Sequence, residues 1–136
     1  MSLFTDPLVV STKEQLVFIG ENTREIGNGN FDSMRILFVR LLMEFAGDEK
    51  EMDVGMITAG DQPTVHIEQA TAPKEQIKIR IKAVKYSDAK FFNLAESLRI
   101  VRDVNFKEPN EGGTRIIVIV SANPMDNQKV NRGSHR

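Results

Sequence analysis

Two rhythms divide this 136-residue chain, one helical and one of period two. From Phe31 the apolar residues Phe31, Met34, Phe38, Leu41, Leu42 and Phe45 recur at the spacing that lines one face of a helix, and Gly47 supplies its stop. Gly27-Asn28-Gly29-Asn30 is turn chemistry before it, and Asn30 or Asp32 can cap it. A second stripe of Ile36, Val39 and Met43 covers much of the remaining surface, leaving Arg35, Arg40 and Glu44 as the main polar members. A helix apolar on most sides is buried on most sides, either by a sheet and a second helix of its own chain or by a neighbouring subunit. The subunit alternative makes Ile36, Val39, Met43, Arg35 and Arg40 the candidate interface.

The period-two rhythm follows. Thr64-Val65-His66-Ile67-Glu68 and Gln76-Ile77-Lys78-Ile79-Arg80-Ile81-Lys82 alternate as strands with one dry and one wet face do. The join Thr71-Ala72-Pro73-Lys74 is short enough for a hairpin that sets Glu68 opposite Lys78 and Ile67 opposite Ile79. Leu8-Val9-Val10 and Gln15-Leu16-Val17-Phe18-Ile19 read as strands or an extended arm. Ser87 is a suitable cap for a second, surface helix with the narrow stripe Phe91, Leu94, Ala95, Leu98 and Val101. Arg115 to Val120, apolar on both faces, reads as a central strand. The stretch 47–61 is rich in Asp, Glu and Gly and reads as an exposed acidic connection. The fold class expected is therefore α+β, a mainly antiparallel sheet with two helices packed on it. It forms a single domain over 1–136, with a core at about 14–122, a polar arm at 1–13 and a polar tail at 123–136.

Composition narrows the function. The chain is 40% hydrophobic and 27% charged with a formal net charge of -1, an ordinary globular balance. Zero cysteines exclude disulfides, thiolate metal sites and a cysteine nucleophile. No apolar run approaches a membrane span, and Met1 to Pro7 lacks a signal-peptide pattern, so a reducing cytoplasm is the expected home. Catalysis would have to centre on His66, with Glu68 two positions on, and a solvated or subunit-contacting His66 is the better reading, so no enzyme and no cofactor are expected. The acidic stretch lacks the ligand alternation of a calcium loop, and Gly27–Asn30 lacks the spacing of a phosphate cradle. A basic strand face of Lys78, Arg80, Lys82 and Lys85 is the strongest candidate for a specific contact. It serves either nucleic acid or, beside an acidic loop in a near-neutral protein, head-to-tail contact between like subunits.

The nearly all-round apolar helix, the patches of opposite sign and the polar ends favour a structural subunit of a homo-oligomer. A nucleic-acid-binding accessory protein is the alternative. In length and element order, from Phe31 to Ala122, the chain resembles the ring-forming tail terminator and tail-completion (neck) proteins of tailed bacteriophages. That resemblance implies a virion component that closes a ring on the tail tube, with other structural proteins of the assembly as partners. No residue role is carried over from it.

Overall fold

The computed structural model describes residues 14–122; the arm at 1–13, including Leu8–Val10, and the tail at 123–136 lie outside the described residues. In chain order the elements are β1 (Glu14–Glu21), α1 (Gly27–Ala46), β2 (Glu51–Ala59), β3 (Pro63–Pro73), α2 (Lys74–Ala83), α3 (Leu94–Ile100) continuing as a π-helical turn (Val101–Asn105), and β4 (Thr114–Val120). The strands form one sheet in the order β3-β2-β1-β4. β1 runs parallel to both β2 and β4, with Phe18 beside Met56 on one side and Val118 on the other, and only β3 is antiparallel, to β2. The expected antiparallel sheet is thus corrected to a mixed one, in an α/β fold with three helices.

The sheet separates two cores. Leu16 and Phe18 of β1 pack with Phe31, Met34, Phe38 and Leu42 of α1 and with Ile77 and Ile81 of α2. Val17 and Ile19, pointing the other way, pack with Ile57, Ala59, Val101, Phe92 and Leu94 beneath α3. β1 is therefore buried on both faces and is the central strand.

Three sequence expectations fail for physical reasons. The stretch Gln76–Lys82 is helix α2, not a hairpin strand. Its isoleucines alternate, but Ile77 and Ile81, four apart, are the buried pair, whereas Ile79 is 66% exposed. Glu75 in the first turn and Arg80 and Lys82 in the last complement the helix dipole. The acidic connection is largely strand β2: Met52, Val54, Met56 and Ile57 are buried between α1, α2 and α3, and Glu51 and Asp53 obscure that pattern in the sequence. β4 is an edge strand among the described residues, pairing with β1 alone, and its Ile117 is 40% exposed.

Helix boundaries also move. α1 begins at Gly27, whose φ of 77° suits glycine, and no side chain caps it; Asp32 ion-pairs with Arg35 instead. The cap of α3 is Asn93, whose Oδ1 accepts from Glu96 N at 3.1 Å, while Ser87 lies in the preceding loop.

Candidate functional site

In an open sheet whose strand order runs outward in both directions from β1, the crevice for a partner lies at the carboxyl ends of the strands, where the connections diverge. Here that point falls between the ends of β1 and β4. Glu21 closes β1 and is fully buried. Its Oε1 accepts from Ser121 Oγ at 2.9 Å and from Ala122 N at 2.8 Å, and its Oε2 accepts from the Thr23 hydroxyl. One carboxylate thus ties the end of β4 to the end of β1, and this is why it tolerates burial.

The loop after α2 is laced over the same end. Asn22, also buried, donates from Nδ2 to Lys85 O at 3.0 Å and accepts at Oδ1 from Ser87 N at 2.7 Å. Tyr86 Oη donates to Thr23 O at 3.0 Å, and Arg24 N donates to Ala89 O at 2.8 Å, beside a Thr23–Ala89 bridge. Asp88 sits at a φ of 42°, a strained position in the middle of this lacing. Above the buried floor the rim is exposed: Arg24, Glu25, Asp88, Lys90 and Phe91. A groove of about 320 Å³ adjoins it, between Ile26, Met34 and Leu37 on the α1 side and Val120 and Ala122 on the β4 side.

None of the residues singled out from the sequence belongs to this floor. Arg35 is committed within its own chain, donating to Lys82 O at 2.9 Å and Val84 O at 2.7 Å. Val39 and Met43 are half-buried and packed against the first core, while Ile36 is 56% exposed and Arg40 is exposed. Lys78, Arg80 and Lys82 project from a helix and Lys85 from the loop after it, so no basic strand face exists. Lys78 pairs with Glu75 at 3.7 Å, and Arg80 donates to His66 O at 3.1 Å. His66 Nε2 hydrogen-bonds Thr58 Oγ1 at 2.7 Å, and burial holds its pKa below the usual value. Glu21 and Asn22 went unnoticed because a charged residue ending an apolar run reads as a strand boundary. The polarity of Glu21-Asn22-Thr23 directly after Leu16–Ile19 is the signal that could have found them.

The fold defines the class, an α/β domain with helices on both faces of a mixed sheet. The von Willebrand factor type A domain family matches residues 15–136, and the chain belongs to that family. The fold is that of proximal thread matrix protein 1 from the mussel byssus, in a structure with a zinc-occupied MIDAS motif (TM-score 0.68, 17% identity, covering 91% of this chain and 34% of that one). A second crystal form of that protein gives a TM-score of 0.66 at 14% identity, over 92% of this chain and 36% of that one. The N-terminal domains of the type V pilus tip protein Mfa5 from Porphyromonas gingivalis are also similar, with a TM-score of 0.59 at 12% identity over 77% of this chain and 19% of that one. The chain therefore spans about a third of the mussel protein and about a fifth of the pilus protein. No relative is found among curated protein sequences.

These findings correct the phage reading. The family is not that of tail terminator or neck proteins, and neither a virion ring nor its nucleic-acid-binding alternative is retained. Length and element order suggested the ring because they are shared by many small folds. Strand direction, which separates such folds, was not visible in the hydropathy pattern.

Proposed function

We propose that this domain is a non-catalytic protein-interaction module of the adhesive or matrix type, taking its partner at the carboxyl ends of the parallel strands. The observation that carries this reading is an exposed rim over a fully hydrogen-bonded floor. Phe91, 69% exposed, donates its backbone N–H to Asp61 Oδ1 at 2.8 Å just past the end of β2, and Glu21 at the end of β1 is already satisfied. An aromatic anchor ringed by polar groups is the composition that protein contacts favour.

The zinc-occupied motif of the mussel protein raises the question of a cation here. Zinc takes about four donors from Cys, His and carboxylates. Glu21 is the one charged side chain in the buried floor, and each of its oxygens is held by donors of this chain. Among the described residues no group of three His, Cys, Asp or Glu stands close enough to hold a metal. The residues present do not fit such an ion, and partner binding is read as cation-independent.

Site-specific photo-cross-linking tests the reading. A benzophenone amino acid at position 91 is expected to give a discrete protein adduct in the producing cells, in the presence of chelator, whereas the same group at position 76 on α2 gives none. Equal or absent labelling from the two positions would overturn it. Self-association is a second reading, favoured by the exposure of Ile36 and Leu37 on α1; an adduct at twice the mass of the chain would mark it.

A further inference from the structure

At the opposite end of the sheet, a cavity of about 570 Å³ opens between the starts of β1 and β2, β3, and the segment that follows α3. That volume suits a small ligand or one side chain of a partner. Its wall carries a hydrogen-bonded relay whose polarity is fixed at every step. Arg115, stacked over Phe106 at 4.9 Å, donates from Nε to Gln15 Oε1 at 2.8 Å. Gln15 therefore presents its Nε2 to Asp53 Oδ2 at 3.1 Å. Gln69 Nε2 donates to Asp53 Oδ1 at 2.8 Å, which turns Gln69 Oε1 toward Asn105 Nδ2 at 3.0 Å. Each amide is oriented by its neighbour, and the relay ends on Asn105 Oδ1, a buried acceptor with no partner among the described residues.

Gly55 makes room for this arrangement: a Cβ there would lie 2.4 Å from Gln69 Oε1 and 2.6 Å from Asn105 Nδ2. Asn105 itself is 6% exposed and lies in a π-helical turn, a local irregularity that departs from the α-helix leading into it. A buried, oriented acceptor without a donor is costly unless something supplies one. With Asp53 of the relay, the carboxylates of Glu68 and Glu108 give the cavity wall three anionic groups against two cations, Lys107 and the Arg115 guanidinium that donates to Gln15 and to the Glu108 carbonyl. Neither Glu68 nor Glu108 forms an ion pair among the described residues.

We propose that this cavity binds a guanidinium group, whose planar fork of N–H donors can satisfy Asn105 Oδ1 while its charge is balanced by Glu68 and Glu108. The site is remote from the β1–β4 crevice and stands whether or not the interaction reading at that crevice holds.

Titration of the isotope-labelled protein with agmatine, followed by amide NMR, tests the proposal. The expected result is saturable shifts of the Gln15, Gln69 and Asn105 side-chain amides, with a dissociation constant of about 1 mM or tighter. N-carbamoylputrescine, its uncharged isostere, is expected to bind at least about tenfold more weakly. Glu68→Gln should weaken agmatine about three- to tenfold and Lys107→Gln should tighten it by a similar factor, both at exposed positions that leave the fold unchanged. Equal binding of the two compounds, insensitivity to both substitutions, or shifts confined to other residues would overturn it. An arginine-containing peptide binding more than about tenfold tighter than agmatine assigns the site to a partner chain, and equal affinities assign it to a free small molecule.

Discussion

Glu21 shows how one residue sets the geometry of an edge. Its carboxylate accepts from the buried Thr23 hydroxyl and, at the end of β4, from the Ser121 hydroxyl and the Ala122 backbone N–H. Glu21→Ala should cost on the order of 2 kcal/mol, because it leaves the buried Thr23 hydroxyl without its acceptor and cuts the ties to Ser121 and Ala122, and Glu21→Gln should cost less since an acceptor oxygen remains. Urea denaturation of the two variants measures the difference, and equal costs would show that the ties to Ser121 and Ala122 carry no weight. His66 acts on pH in a definite direction. Burial lowers its folded pKa below that of the unfolded chain, about 6.5, so the unfolded state binds more protons in the window between the two values. Its contribution is complete above about pH 7.5 and is lost as pH falls through 6.5 toward the folded pKa. The denaturation midpoint should therefore drop between pH 7.5 and 5, and His66→Gln, which can still hydrogen-bond Thr58, should flatten that slope.

At the scale of elements, α1 has two unequal faces. Phe38 is fully buried and stacks on Phe18 with ring centroids 4.5 Å apart, whereas Ile36 is more than half exposed. Phe38→Ala should cost about 3–5 kcal/mol. Ile36→Glu should change monomer stability by no more than about 0.5 kcal/mol. If α1 mediates self-association, the same Ile36→Glu variant should lower the mass seen by light scattering while its circular dichroism stays constant. The helical period of α1 was legible because its large residues recur without interruption. In α2 the alternating isoleucines concealed the i, i+4 pair of Ile77 and Ile81, and only the presence of α1 beside them settled which isoleucines are buried. β2 was hidden in the same way by Glu51 and Asp53, the first and third residues of an otherwise buried strand.

For the whole molecule, the crevice and the guanidinium cavity lie at opposite ends of the parallel strands, so two contacts can be made without competition. Chelator or added zinc should leave the thermal midpoint within about 1 °C, because a ligand that does not bind the native state does not shift it; a rise that saturates with zinc would show that the crevice recruits donors beyond Glu21. The apolar helix over Phe31–Phe45 and the ordinary globular composition are fixed by the sequence alone, since each rests on local propensity and periodicity, whereas Gln15–Ile19 was legible only as a strand or an extended arm and Gly27–Asn30, read as a turn, opens the helix. The direction of β1 relative to β2 and β4, the helical state of Lys74–Ala83, the edge position of β4 and the meeting of Glu21 with Ser121 were decided by the tertiary structure. They depend on contacts up to 101 residues apart along the chain, as between Glu21 and Ala122, and no local pattern encodes which distant partner a residue will find.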